Sequence, residues 1–229
     1  CSLCSTACPV KIDTGNLTKH LRAEQLTSKD KAIANYVANN FSTTLTGIRF
    51  GLHSSNFIHK VLGTSKMESF TKTLRTISKN KTPKWSPTMP KAISINLNFE
   101  QKDSDKKIVY FPSCINRTMG LNSISKEDKE LFDITVELLQ KAGYQIILPQ
   151  NLSNLCCGMP FSSKGFNEAS NTKSSQLEVA LLNASEFGTY SILCDTSPCT
   201  KKRMESFSHK LSIYEPIYFA LKFLTNDLE

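Results

Sequence analysis

The sequence has no apolar run near the ~18 residues of a membrane-crossing helix, so no spanning segment is expected. It has no basic stretch followed by an apolar one at its start, so no secretory signal is expected either. It opens on Cys1 without an initiator methionine, which reads as a piece of a longer polypeptide. Its strand–helix turns lack the glycine-rich loop that cradles the phosphates of a dinucleotide. Gly158 and Gly165 are too few and too far apart to make one, and no dinucleotide contact is assigned to any residue. Basic residues form no stripe interleaved with aromatics, only a short cluster at Lys201-Lys202-Arg203. That argues against nucleic acid as a partner.

The 229 residues suffice for one large domain or two small ones, and 39% hydrophobic with 21% charged residues is an ordinary balance for a folded protein. The formal charge of +8 suits a solvated lysine-rich surface. It also leaves open a weak attraction to an anionic membrane surface or an acidic redox partner. Eight cysteines point to disulfides, metal or redox chemistry. Disulfides need an oxidising compartment, and nothing in the sequence addresses one. Metal-like spacings favour metal and the cytoplasm, with peripheral contact at the inner face of the membrane left open.

The stretch Asn154-Leu155-Cys156-Cys157-Gly158-Met159-Pro160-Phe161 is the most informative. Adjacent side chains diverge, so Cys156 and Cys157 grip a single ion poorly, and a vicinal disulfide is strained. A multinuclear iron–sulfur cluster suits the pair, because two thiolates can serve different irons. Gly158 allows the backbone a sharp turn close to a cofactor. At the other end, Cys1, Cys4 and Cys8 followed by Pro9 form the tail of the C-x2-C-x2-C-x3-C-P run of ferredoxin-type 4Fe-4S clusters. The bland alternative is a zinc knuckle or plain loop cysteines, but zinc sites usually pair two short Cys/His hooks and no histidine lies close by.

Along the chain, residues 1–80 read as a helical domain with the ferredoxin-type cysteines. Asp13-Thr14-Gly15-Asn16 offers N-cap chemistry, and Leu17, Leu21 and Leu26 begin an apolar face. Ala32, Ile33, Tyr36, Val37 and Phe41 suggest a second face, and Ile58, Val61, Leu62, Met67, Phe70 and Leu74 a third, with Gly51 and Gly63 as breaks. His20, His53 and His59 read as surface or core residues rather than ligands. Residues 81–106, punctuated by Pro83, Pro87 and Pro90, read as a linker in which Trp85 packs on a domain surface. Residues 107–229 read as an α/β domain with a small parallel sheet. Its strands are expected at 108–111, 144–149 and 191–194, and its helices at 126–142, 167–187, from about Thr200, and after Pro216. In the first of these helices Leu131, Ile134, Leu138 and Leu139 share a face, and Gly143 ends it.

Cys114, Cys156, Cys157 and Cys199 all fall just past the carboxyl end of an expected strand. In a parallel α/β sheet, loops at that edge converge on one crevice, and helix N-termini there favour anionic sulfur. The candidate metal ligands are therefore Cys1, Cys4, Cys8, Cys114, Cys156, Cys157 and Cys199. Cys194, inside an apolar strand, stands open between core filler and ligand.

Cys-Pro-Val-Lys-Ile-Asp-Thr-Gly at 8–15, Phe-Pro-Ser-Cys at 111–114, Cys-Cys-Gly-Met-Pro-Phe-Ser-Ser-Lys-Gly-Phe at 156–166 and Asp-Thr-Ser-Pro-Cys-Thr at 195–200 carry a resemblance. Together they resemble the C-terminal iron–sulfur portion of FAD-linked D-lactate dehydrogenases of the cytochrome-reducing type. The same strings are similar to the iron–sulfur subunit of glycolate oxidase and the cysteine-rich subunit of heterodisulfide reductase. The last pair departs from the heterodisulfide reductase spacing of Cys-x2-Cys, since four residues separate Cys194 from Cys199. The resemblance implies an electron-transfer module holding 4Fe-4S clusters, with FAD in a domain upstream on the same polypeptide. It implies oxidation of a 2-hydroxy acid such as D-lactate, with electrons passed to a quinone or cytochrome. The alternatives are a heterodisulfide-reductase-like catalytic module and a non-redox zinc-binding interaction module.

Overall fold

The computed structural model describes residues 8–225 apart from 11, 81, 83, 94, 102 and 123. Three helices come first: α1 (Thr14–Glu24), α2 (Ser28–Asn39) and α3 (Phe41–Ile77). Asp13 caps α1 by accepting from the Asn16 amide at 2.9 Å, so the expected N-cap is in place. Thr27 and Asp30 close a reciprocal capping box on α2. Gly63 breaks α3 with a positive φ of 74°, whereas Gly51 sits within the helix.

Then follow β1 (Lys107–Phe111), α4 (Leu131–Lys141), β2 (Gln145–Ile147), α5 (Met159–Ser162), α6 (Asn167–Ala184), β3 (Ser191–Cys194), α7 (Ser197–Ser206), β4 (Ile213–Tyr214) and α8 (Pro216–Phe219). The fold is α/β: one four-stranded, all-parallel sheet in the order β2-β1-β3-β4. Val109 lies between Ile147 on one side and Ile192 on the other, and Phe111 pairs with Cys194. Ile108, Val109, Tyr110, Phe111, Ile192 and Cys194 have no exposed surface, the continuous apolar run of strands covered on both faces. The two-residue β4 was not expected, being too short for any periodicity to register.

The chain forms two compact units, and both are discontinuous. The first comprises 1–42, 100–114 and 136–229; the second comprises 43–99 and 115–135. These divisions differ from the expected boundaries at 80 and 106. In the first unit, α2 packs on α6. Asn35 donates to Glu168 at 2.8 Å, and the Phe41 ring lies 6.2 Å from that of Phe161. The buried face of α2 is Ala34 and Ala38, while Ile33 and Tyr36 are exposed. Small residues let a helix approach its neighbour closely, and the larger apolar ones were a misleading guide.

In the second unit, the segment expected as a linker is tied into the fold. Lys91 and Ile93 exchange backbone hydrogen bonds with Gly120, Leu121 and Thr118, and Trp85 is buried with its ring 4.7 Å from His59. Of the face expected on α4, which spans the boundary between the two units, only Leu139 is buried. Phe132, Val136 and Leu139 are buried, while Leu131, Ile134 and Leu138 are exposed. The helix carries two apolar stripes, and Phe132 seats edge-on against Phe99 at 6.2 Å.

Gly165 locks α1 onto the turn before α6. Its φ is 90°, and an added Cβ would stand 2.6 Å from the Ala23 nitrogen. Gly165→Ala is expected to destabilise the protein by roughly 1–3 kcal/mol from backbone strain alone. It should also expose the turn at 25–27 to limited proteolysis. An unchanged denaturation midpoint and cleavage pattern would show that α1 does not depend on this approach.

A candidate sulfur centre at the strand ends

The strand order reverses between β1 and β3: the chain runs outward from β1 to β2, then returns to the other side for β3 and β4. Such a reversal opens a crevice at the carboxyl ends of the two central strands. Cys114 follows β1, Cys194 ends β3, and Cys199 lies in the first turn of α7. Cys156 and Cys157 follow β2 in an extended stretch before α5.

The structure brings these five sulfurs together. Cys114 Sγ lies 3.8 Å from Cys156 Sγ, and Cys157 Sγ lies 3.2 Å from Cys199 Sγ. Buried Cys194 ends β3 and is close enough to act on the Cys199 thiol, so it borders the group. Cys156, Cys157, Cys194 and Cys199 are buried, whereas Cys114 is half-exposed and forms the open side. Cys8 is half-buried and stands outside the group, and Cys1 and Cys4 lie outside the described residues.

The long Cys-Cys-Gly string places its own cysteines. Gly158 turns left-handed at φ 81°, and its amide points at Cys156 Sγ at 3.4 Å. Any Cβ there would collide with the Ser170 backbone oxygen of α6. The Phe161 ring meets Phe41, and the Ser163 carbonyl accepts from Arg22 Nη1 at 2.7 Å. Buried Lys173 reaches from α6 to Asn154, just before the cysteine pair, at 3.4 Å, and to Gln176 at 2.7 Å. Its Nζ also lies 5.1 Å from the centre of the Phe41 ring.

Asp195 joins the two central strands at their carboxyl ends. One of its oxygens accepts from the Ser113 amide at 2.8 Å and the Thr196 hydroxyl at 3.0 Å, and the other from the Tyr110 hydroxyl at 3.3 Å. The Thr196 hydroxyl also meets the Ser113 hydroxyl at 2.8 Å. The role of Asp195 was not expected from sequence, although the residue stands in the Asp-Thr-Ser-Pro-Cys string. An acidic residue directly after a buried strand is the only sequence signal for it.

The charge in the pocket is uneven. Cys156 is pushed well up by its hydrogen bonds to Cys114 and Cys157 and by burial. Cys199 is pushed up by hydrogen bonds to Cys157 and Cys194. Cys157 is pulled down to about 3 by hydrogen bonds from Cys156 and Cys199, helped by the Met159 amide and Arg203. Burial raises Cys194, but the Cys199 hydrogen bond, Arg203 and the Thr196 backbone outweigh it and bring it to about 7. Upward and downward shifts therefore alternate from Cys156 through Cys157 and Cys199 to Cys194.

Five thiols suit soft, thiophilic metals. Among the described residues, no group of three His, Cys, Asp or Glu side chains is placed to hold a metal ion as the thiols stand. Thiols delivered from three separate loops are the donor type that a multinuclear iron–sulfur cluster takes. Arg203, fully buried with Nη1 lacking a hydrogen-bond partner, adds a cation suited to an anionic group.

Two outcomes are expected. Asp195→Ala should cost roughly 1–3 kcal/mol in denaturant unfolding, because the buried Ser113 amide loses its acceptor. Asp195→Asn, which keeps an acceptor oxygen, should cost less, and equal losses from both would remove the amide from the account. In metal-free, reduced protein, a depressed thiol stays ionised below neutral pH. Thiolate ultraviolet absorbance should therefore persist as pH falls from 8 to 5 and be lost with Cys157→Ser; absorbance that disappears between pH 9 and 8 would refute the depressed thiol. Comparison of the chain with family models, curated proteins and solved structures found no match.

Proposed function

We propose that this chain is the electron-transfer iron–sulfur portion of an FAD-dependent 2-hydroxy-acid dehydrogenase, with D-lactate as the expected acid. The observation that carries the reading is the gathering of Cys114, Cys156, Cys157, Cys194 and Cys199 at the switch point of a parallel sheet. Chance placement of cysteines would not put one or more in the loop after each of three strands and bury four of the five. The Cys-Cys-Gly and Asp-Thr-Ser-Pro-Cys strings support the same reading by their resemblance to that family.

An iron–sulfur cluster, when bound, supplies one-electron storage and release. The chain's own residues do the rest. Cys114, Cys156, Cys157 and Cys199 would hold the group, with Cys194 as a fifth sulfur beside Cys199. Leu155 and Phe111, both buried, flank the cysteine-bearing segments on the inner side. Half-exposed Cys114 marks the side open to exchange with a partner. Cys1, Cys4 and Cys8 would hold a second, ferredoxin-type cluster. The electron donor in this reading is a flavin domain upstream on the same polypeptide, and the acceptor is a quinone or cytochrome. No helix among the described residues is long and apolar enough to cross a membrane, so contact with a membrane-bound acceptor would be peripheral.

Anaerobic reconstitution with iron and sulfide tests the reading. The protein should turn brown, release acid-labile sulfide and bleach with dithionite. A variant with Cys1, Cys4 and Cys8 changed to Ser should keep roughly one cluster's worth of iron and sulfide, and further loss of Cys157 should remove it. A colourless protein that retains only zinc would sink the proposal.

A further inference from the structure

Arg203 is a buried cation with no carboxylate partner among the described residues. It lies on α7 one turn beyond Cys199 and has no exposed surface. Nε donates to the Cys199 carbonyl at 3.2 Å, and Nη2 to the Thr200 hydroxyl at 3.4 Å. Its guanidinium carbon stands 5.1 Å from the centre of the Phe111 ring. Nη1 is buried and has no hydrogen-bond partner, and among the described residues no carboxylate pairs with it. Phe111 is the β1 residue that pairs with Cys194, so the guanidinium lies beside the β1–β3 strand ends that carry Cys114 and Cys194. A buried guanidinium is costly unless an opposite charge compensates it.

We propose that Arg203 is the fixed counter-charge of the sulfur centre, holding its occupant's net negative charge and setting its reduction potential. The inference rests on the iron–sulfur reading above. Adding an electron makes the centre more negative, and a nearby buried cation favours that state. Arg203 therefore raises the potential and makes the centre easier to reduce. Its hydrogen bonds to Cys199 and Thr200 fix the guanidinium in place, which a mobile surface lysine could not match.

The test compares Arg203→Met, which keeps length but not charge, with Arg203→Lys, which keeps charge. The wild type and both variants are reconstituted anaerobically and titrated for midpoint potential, and the metal-free proteins are melted. Arg203→Met should shift the reduction equilibrium at least tenfold toward the oxidised form, about 59 mV lower for one electron. Arg203→Lys should shift it less than half as far. In metal-free protein the two variants should melt close together, since both lose the fork of hydrogen bonds to Cys199 and Thr200. A variant Arg203→Met that takes up no cluster while Arg203→Lys does also supports the assignment. If the potential stays put in Arg203→Met while both variants melt lower, Arg203 is only a tether of α7 and the inference is overturned, with the iron–sulfur reading intact. The inference is likewise overturned if both variants fail to load while the wild type loads, because shape and not charge is then required. If the wild type itself takes up no iron and sulfide, the iron–sulfur reading falls and the inference falls with it.

Discussion

The carboxylate of Asp195 is the contact on which the candidate centre depends. Parallel strands are held by backbone hydrogen bonds along their length, but nothing in a ladder fixes the loops past their ends. Asp195, just after β3, reaches back to the amide of Ser113, just after β1, and so fixes the separation of the two loops. Cys114 is the next residue on one side, and Cys194 immediately precedes Asp195 on the other. Because Ser113 is fully buried, its amide needs that acceptor in the absence of water. The clasp converts a sheet topology, accurate to a few ångströms, into a sulfur arrangement of fixed geometry.

The third loop is fixed differently. Cys156 and Cys157 lie past β2, at the edge of the sheet, and are carried inward by packing instead of strand pairing. Gly158 lets the chain pass against α6, and Phe161 docks on Phe41. Gly165 then admits α1 at van der Waals limits. The eleven residues 156–166 thus carry two buried cysteines, a turn, a core aromatic and a helix seat in one string.

Much of the site was legible in the sequence because strand ends are. Short apolar runs ending at Pro112, Pro149 and Asp195 located three carboxyl ends, and cysteines just past each had one crevice to share. The helix faces were less legible. Periodicity on α2 and α4 pointed to Ile33, Tyr36, Leu131 and Leu138, all exposed, and away from Ala34 and Ala38. Amphipathic pattern reports apolar stripes, but the neighbour chooses among them by fit, and small residues win where helices approach closely. Cys194 was ambiguous because a cysteine inside a strand looks the same whether it fills space or faces another sulfur. Arg203 was legible only as part of a basic cluster, since Lys201, Lys202 and Arg203 look alike until the fold buries one of them.

Burial of that one arginine bears on how the pocket tolerates its own contents. Five thiols packed together repel once ionised, and burial raises the cost of each charge. The alternation from Cys156 to Cys194 relieves this by favouring the proton on Cys156 and Cys199 and the charge on Cys157 and Cys194. The two sulfurs shifted down are two on which Arg203 acts, so one guanidinium serves both. Binding a metal group asks the remaining thiols to give up their protons as well. A single fixed cation cannot balance five thiolates, so the bound group must bring positive charge of its own. In the proposed reading iron would meet that need and leave a net negative remainder, which the unpartnered Nη1 of Arg203 suits.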